Sequence, residues 1–483
     1  MDSEAFEHHL TSPQGADRIP AGAIRVTAGG WVCQDEIEFG LVIEGERVRE
    51  AGFVATGCGA TTAAASAAVA LSRGRPVLEI ARVGAHQIAA ELGGLSPGKF
   101  HAADLAAEAL ARSLGVAALE QGALPQAASP STLVAMSGGV DSAVAALLCA
   151  READAVAVTL ELWADSEHDS ARSCCSASAV AQARSLAHLM GLPHFTLDLR
   201  ERFRFGVVEP FISGYAAGET PNPCVACNGH VRLDAMLALA DRLGCRWLAT
   251  GHYTRTAESE HAGGPLLRAA ADPAKDQTYM LAALSPASLA RMRFPLGDLI
   301  KTQVRRIAGE AGLPVAAKAD SQDLCFLAGT SRARFLARHG GIGERAGLIV
   351  DRSGHPVGHH LGQHRYTVGQ RRGLGVTGEE PLYVLDKQAA SNRVVVGPHS
   401  ALHTTRVAVR DARLHRAGKR VNRVKLRYRA RALAASLPAD LAPGDHRRLA
   451  IELAEAVDGA APGQLACLMD GDLVIGWGTI ART

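Results

Sequence analysis

The spacing of apolar and polar positions changes several times along the chain, and each change predicts a different kind of element. In residues 30–56 the two alternate (WVCQDEIEFGLVIEGERVREAGFVA) around a turn-like EGER, which predicts antiparallel strands, with helices from Thr61 onward. From Thr132 the order is strand, loop, helix, strand (TLVAM, SGGVDS, AVAALLCARE, AVAVTLEL), the pattern of a parallel sheet with crossover helices. Glycines become dense after about Gly347. From Arg406 short alternating runs (RVAVRDARL, RVKLRYRARAL, DLVIGWGTI) predict a small β domain or barrel. The stretch LEQGALPQAASPS, 119–131, has the Gly, Pro, Ala and Ser content of a linker, so the units on either side are expected to form separate cores. The predicted division is 1–125, 126–345, 346–405 and 406–483, without internal repeats.

A chain of 483 residues suits several domains. Lys+Arg 51 against Asp+Glu 49 leaves a net charge of +2, which excludes a globally basic nucleic-acid binder while allowing a local basic surface. Ten cysteines are too few for a disulfide scaffold, and MDSEAFEHHL has neither the cationic start nor the apolar stretch of a signal peptide. A reducing, cytoplasmic setting is expected. No run approaches the roughly 18 apolar residues of a membrane span, so no membrane partner is expected.

Ser137-Gly138-Gly139-Val140-Asp141-Ser142 lies directly between a predicted strand and a predicted helix. Glycines let a backbone approach a polyanion, and the loop N–H groups and helix N-terminus offer it partial positive charge. The loop lacks the lysine of a Walker A motif, so cleavage between the α and β phosphates of ATP fits better than γ-phosphoryl transfer. SGGxDS resembles the signature of the ATP pyrophosphatases (PP-loop enzymes), which activate a carbonyl as its adenylate.

Residues 132–430 resemble the tRNA 2-thiouridylases of the MnmA type in seven stretches that follow the same order: SCCSASAVAQARSLAHLMGLPHF, TPNPCVACN, TGHYTR, KDQTYML, ADSQDLCFL, HRYTVGQRRGLG and KLRYRAR. That resemblance implies an ATP-dependent transferase replacing the C2 oxygen of the wobble uridine, position 34, by sulfur. It implies catalytic roles for Cys227 and Cys325, and ATP contacts, with Mg2+, from Ala135, Met136, Ser137, Gly138, Gly139, Val140, Asp141, Ser142, Leu160 and Gly251; the family usually has Met where Leu160 stands. It implies tRNA contacts from Asn222, Pro223, Lys275, Asp276, Gln277, Arg427 and Tyr428, tRNAs for Lys, Glu and Gln as partners, and a cysteine desulfurase or free sulfide as sulfur donor. Cys174-Cys175 falls in a segment shared with the family and is expected to have a structural or substrate-loop role, and the histidines at 359, 360 and 364 match the family's linker domain and are not expected to hold a metal. Cys149 and Cys245, in apolar contexts, are expected to act as small hydrophobes.

One position departs from the common family pattern. Cys224 stands where an Asp is usual, giving Cys224-x-x-Cys227. With Cys325 brought near by the fold, three thiolates fall short of the four ligands of structural zinc but suit a [4Fe–4S] cluster with one open iron that holds hydrosulfide. A family subgroup with this cysteine pattern is similar. A Cys227/Cys325 persulfide relay and a structural zinc remain alternatives.

Residues 20–115 resemble the NifU/IscU-type iron–sulfur scaffold proteins through CQDEIEF, ATGCGATTAAAS and SPGKFHAADLAAEAL. Cys33, Asp35, Cys58 and His101 match scaffold ligands, whereas Ala102 replaces the third cysteine. The resemblance therefore implies either transient metal or cluster holding for delivery or a degenerate docking domain. The expected architecture is an α+β scaffold-like unit, an α/β parallel-sheet core, a small central unit and a C-terminal β-barrel-like unit. A scaffold or carrier that merely binds tRNA is the rival from another class.

Overall fold

The computed structural model describes residues 4–29, 34–120, 130–163, 177–258, 263–320, 324–327, 329–376 and 380–482, except the side chains of 177 and 230. Cys33, Cys174 and Cys175 lie outside the described residues.

The predicted hairpin is present as strands Glu36–Glu44 and Arg47–Thr56, turning at Gly45 with φ +61°. A strand at Ile24–Gly29, which showed no clear alternation, completes this antiparallel sheet. Helices Gly59–Ser72 and Phe100–Glu120 pack on it. Both are Ala-rich, so they approach the sheet closely, and most of their length is buried.

The second unit is the expected parallel sheet. Its strands run Met292–Arg293, Trp247–Ala249, Thr132–Ala135, Ala155–Glu161 and His194–Asp198 in spatial order, every pair parallel. Successive strand residues face opposite sides. Val134, Ala155 and Ala157 join one core with Val144 and Val304 from helices Val140–Glu152 and Lys301–Glu310. Leu133, Val156, Val158, Leu160, Phe195 and Leu197 join the other. That second core contains the Phe100–Glu120 helix of the N-terminal unit.

Here the structure corrects the expectation of two separate cores. Buried parallel sheets need cover on both faces, and the Phe100–Glu120 helix supplies it over the strand His194–Asp198. Gly115 permits the approach: an added Cβ would sit 1.8 Å from the carbonyl oxygen of Thr196. Around it, the His194 N–H donates to Ala81 O at 2.8 Å, Arg82 Nε donates to Gly191 O at 3.0 Å, and Arg112 pairs with buried Glu161 at 3.1 Å. The sequence linker joins two units that share one interior.

Beyond the core, strands Pro356–His360, Gly347–Val350, Arg393–Gly397 and Tyr383–Gln388 form a small sheet. The C-terminal unit is a closed six-stranded barrel: His403–Leu414, Gly444–Asp458, Leu433–Ser436, Arg423–Lys425, Leu465–Asp470 and Leu473–Ile480, which returns to pair with His403–Leu414. RVKLRYRARAL, expected as one run, divides into Arg423–Lys425 and Leu433–Ser436; Arg427 between them leaves the ladder to bond the carbonyls of Asp458 and Gly459. Among the described residues no helix is long and apolar enough to cross a membrane.

All three units of the thiol-bearing half meet at 215–222. Lys387, fully buried, donates to the carbonyl of Glu219 at 3.1 Å and lies 5.6 Å from the centre of the Tyr215 ring. Arg410 of the barrel grips the Glu219 carboxylate at 2.9 Å through both oxygens. Burial, reinforced by Arg332 and Arg482, brings the Lys387 ammonium down to about 7.

Two predictions follow from these contacts. Gly115→Val should force the seam apart and lower stability by roughly 1–3 kcal/mol or more, read as a fall in the thermal unfolding midpoint. Between about pH 7 and 10 an unfolded lysine keeps the proton that folded Lys387 has lost. The unfolded state then binds more protons, so stability gains with rising pH from this group. The unfolding midpoint of the unsubstituted protein, relative to Lys387→Met, should rise from pH 7 to pH 9.

Candidate active site

The SGGVDS loop lies at the carboxyl end of the central strand Thr132–Ala135, between neighbours that depart in opposite directions along the sheet. This is the switch point where open α/β sheets bind ligands. Gly138 has φ +70°, and a Cβ there would meet Ala179 O at 2.8 Å. Ser142 Oγ accepts from the Ser137 N–H at 3.0 Å and lies 3.1 Å from Gly139 O, so the hydroxyl holds the loop in shape. Gly139 caps the helix Val140–Glu152, whose first N–H groups point into the loop. Gly251 crosses this helix start so closely that a Cβ would lie 2.8 Å from Ser142 N. Ala135 is half-buried, and Met136 and Leu160 are buried beside the loop, leaving an apolar wall.

The loop carries a charge network of which the sequence reading recognised only part. Asp141 accepts from Tyr253 Oη at 2.8 Å and from Lys301 Nζ at 2.6 and 2.8 Å. The same ammonium lies 2.8 Å from Asp320, which also takes Lys275 at 2.6 Å and Arg305 at 2.9 Å. Lys318 donates to Gly138 O at 3.0 Å. Burial alone would raise the Asp320 carboxyl, but Lys275 and Lys301 outweigh it and hold it at about 2. Three cations thus face two carboxylates, and a fourth, Lys318, bonds the loop itself, which is shaped for a polyanion. Tyr253, Lys275 and Asp320 stand in TGHYTR, KDQTYML and ADSQDLCFL; Lys301 and Lys318 stand in no motif and were missed.

The thiols sit on a short helix. Asn222 caps it by accepting the Cys224 N–H at 3.1 Å, and Pro223 occupies the first turn, where no N–H is needed. Helix Pro223–Ala226 continues into one wide, π-type turn, Cys227–Arg232. A helical i, i+3 spacing places Cys224 and Cys227 on one face. Cys227 is buried and Cys224 half-buried. Half-buried Cys325 begins the turn Cys325–Leu327, and its neighbour Phe326 packs edge-on against Phe203 and Phe211. Arg204–Val208, which follows Phe203, touches the Cys224 helix. Both thiol segments therefore rest on one helical layer.

Cys224, Cys227 and Cys325 are not among the groups of described residues whose ligand atoms all lie within 4.8 Å of one another. One tetrahedral zinc, with Zn–S near about 2.3 Å, draws its sulfurs closer than that. As a donor set, three thiolates would suit a [4Fe–4S] cluster with one open iron. Cys149, Cys245 and Cys467 are buried, which pushes each thiol up to about 12 and leaves them inert.

The N-terminal unit holds its own constellation. Asp35, Cys58 and His101 lie within 4.8 Å of one another. The Cys58 thiol donates to Asp35 Oδ2 at 3.6 Å, Thr61 Oγ1 donates to the same oxygen at 2.6 Å, and His101 Nε2 lies 3.4 Å away. His101 Nδ1 is 2.9 Å from Gly98 O, a contact that orients the ring with Nε2 toward Asp35. Hydrogen bonding, chiefly from Thr61, holds the Asp35 carboxyl below its ordinary range. Gly57, φ +144°, has no room for a side chain, since a Cβ would meet Asp35 Oδ1 at 2.3 Å. Thr61, in the first turn of the helix Gly59–Ser72, thus serves the site as well as the helix. Ala102 is buried in the core.

Family models match along the chain: the NifU-like N terminal domain over 3–119, the tRNA methyl transferase HUP domain over 131–329, its PRC-barrel domain over 333–398 and the aminomethyltransferase beta-barrel domain over 404–480. The bifunctional protein NifU/MnmA of Rubrobacter xylanophilus is 42% identical over 491 residues, covering 98% of this chain and 97% of its own. The chain belongs to the bifunctional NifU/MnmA family. The tRNA-specific 2-thiouridylases MnmA of Methylobacterium radiotolerans and Acidithiobacillus ferrooxidans are 43% and 41% identical, covering 72% and 74% of this chain and 93% and 99% of their own. These two relatives match the MnmA half alone.

In that MnmA half, the segment expected to touch tRNA is also an internal joint. Asp276 accepts from Ala270 N, Thr278 and, at 3.1 Å, Lys425 of the barrel. Gln277 Oε1 accepts the Tyr253 N–H at 2.9 Å. Asn222 and Asn228 both reach Met280, so the thiol helix connects through the 277–280 turn to Tyr253 and Asp141. Tyr428 is half-buried near Tyr279, and Arg427 is exposed. His360 spends Nδ1 on the Gly362 N–H at 2.9 Å, and neither it nor His364 joins a three-ligand group among the described residues.

Lys301 is the most sensitive test of the charge network. Lys301→Ala should lower tRNA-dependent pyrophosphate release on the order of 10²-fold, with partial recovery in Lys301→Arg, measured by coupled pyrophosphate assay.

Proposed function

We infer that this protein is an ATP-dependent tRNA-uridine 2-sulfurtransferase acting on C2 of the wobble uridine. The observation that carries the reading is the pairing of a phosphate-cradling loop without a Walker lysine and two thiols on one helix face, joined through Met280, Gln277 and Tyr253. The loop N–H groups and the cations at 301, 305 and 318 bind the triphosphate, with adenine against Met136 and Leu160. Lys301 satisfies Asp141 and Asp320 together, which does not fit a dedicated Mg2+ site; magnesium arrives on the phosphates of ATP. The uridine C2 oxygen bonds to the α phosphorus as pyrophosphate leaves. A sulfur nucleophile then adds at C2, and AMP departs with the original oxygen.

Cys224, Cys227 and Cys325 hold a [4Fe–4S] cluster, which when bound supplies an open iron position for sulfur. The buried, apolar setting of Cys227 keeps water from competing with it. Asn222 and Pro223 border this face and position the base, while Lys275, Arg427 and Tyr428 present charge and a ring to the tRNA. Asp35, Cys58 and His101 hold iron or a cluster transiently for delivery to the thiols.

In cells lacking this protein and any second thiouridylase, mass spectrometry of tRNA nucleosides should find wobble 2-thiouridine gone. Unchanged 2-thiouridine would overturn the activity. Single alanine substitutions at Cys224, Cys227 and Cys325 should each abolish the absorbance of anaerobically reconstituted cluster and sulfur transfer together. Full activity in Cys224→Ala alone would favour a persulfide relay through Cys227 and Cys325.

A further inference from the structure

Two imidazoles and a carboxylate converge where the central unit passes into the barrel, far along the chain from Cys58, Cys224, Cys227 and Cys325. His403 opens the strand His403–Leu414 and is the cross-strand partner of Asp458, the last residue of Gly444–Asp458, so both side chains leave the same side of the ladder. The tight turn His399–Leu402, entered from Pro398, brings His399 over them. Gly459, φ +70°, closes the turn by donating its N–H to Leu402 O at 3.0 Å. The backbone around all three residues is thus fixed.

His399 Nε2 lies 3.1 Å from one Asp458 oxygen and His403 Nε2 3.2 Å from the other. The rings stand edge-on, centres 5.1 Å apart, and the three ligand atoms all lie within 4.8 Å of one another. All three side chains are exposed, so an ion can enter and water can complete its shell. We propose that His399, His403 and Asp458 form a binding site for a divalent transition-metal ion of the zinc class. Two imidazoles favour zinc-like ions over calcium or magnesium, which take oxygen shells, and the absence of a thiolate from the group sets it apart from an iron–sulfur site. Three protein ligands with positions left for water match an open rather than a closed zinc shell. A bound ion would staple the end of Gly444–Asp458 to the turn at 399, beside the carbonyls that Arg427 grips.

The test is anaerobic titration of the full chain with Co2+, followed by displacement with Zn2+. One equivalent should develop visible ligand-field bands without the near-ultraviolet charge transfer that thiolate ligands give. His403→Ala and Asp458→Asn should each weaken that equivalent by at least about 10-fold, while Cys58→Ser leaves it intact. Zn2+ should raise the unfolding midpoint of the unsubstituted protein more than that of His399→Ala. Cobalt bands that always carry thiolate charge transfer would overturn the proposal, as would equal affinity in the unsubstituted protein and in folded His403→Ala or Asp458→Asn.

Discussion

A parallel sheet exposes two apolar faces, and the arrangement of this protein depends on how the second face is covered. Helices Val140–Glu152 and Lys301–Glu310 line one face and carry the phosphate loop and Lys301. Over the strand His194–Asp198 the opposite face is closed by Phe100–Glu120, a helix that also covers the scaffold-like sheet. One helix therefore belongs to two interiors. Gly115 makes this possible, because any larger residue would collide with backbone, which cannot move aside.

That constraint fixes the relation between the two chemistries in the chain. Asp35, Cys58 and His101 sit on a unit whose core is continuous with that of the adenylation sheet. A tether that swings between donor and acceptor is incompatible with such a seam at Gly115 and Arg112. On the other side, the helix of Cys224 and Cys227 is held by the segment 276–280, which also touches Tyr253 and the barrel through Lys425 and Leu465. Tyr253, the thiol helix and the barrel thus all bond to one short segment, 276–280.

Much of this was legible in the sequence. The strand–loop–helix run at 132–161 has strong periodicity and a Gly-rich loop, and the sheet follows it directly. The barrel was recognisable from short alternating runs. The seam was not, because Ala-rich helices such as Phe100–Glu120 are apolar nearly all round and do not reveal which neighbour covers which side. A linker composition between two motifs says nothing about whether they touch. At the site, glycines and cysteines announced themselves through spacing, whereas Lys301 and Lys318 arrive from distant segments and look like ordinary surface lysines. Asp276 and Gln277 show the reverse: residues in a conspicuous motif whose visible contacts are with their own chain.

The shared helix also bears on how the chain is made. The first unit leaves the ribosome before the strand that will cover Phe100–Glu120, which lies roughly 80 residues further on. At elongation rates on the order of 5–20 residues per second, the helix waits about 4–16 seconds with the face around Gly115 uncovered. During that interval the nascent scaffold-like unit presents an adhesive surface, and holding it apart from other chains is a task for whatever meets it at the tunnel exit.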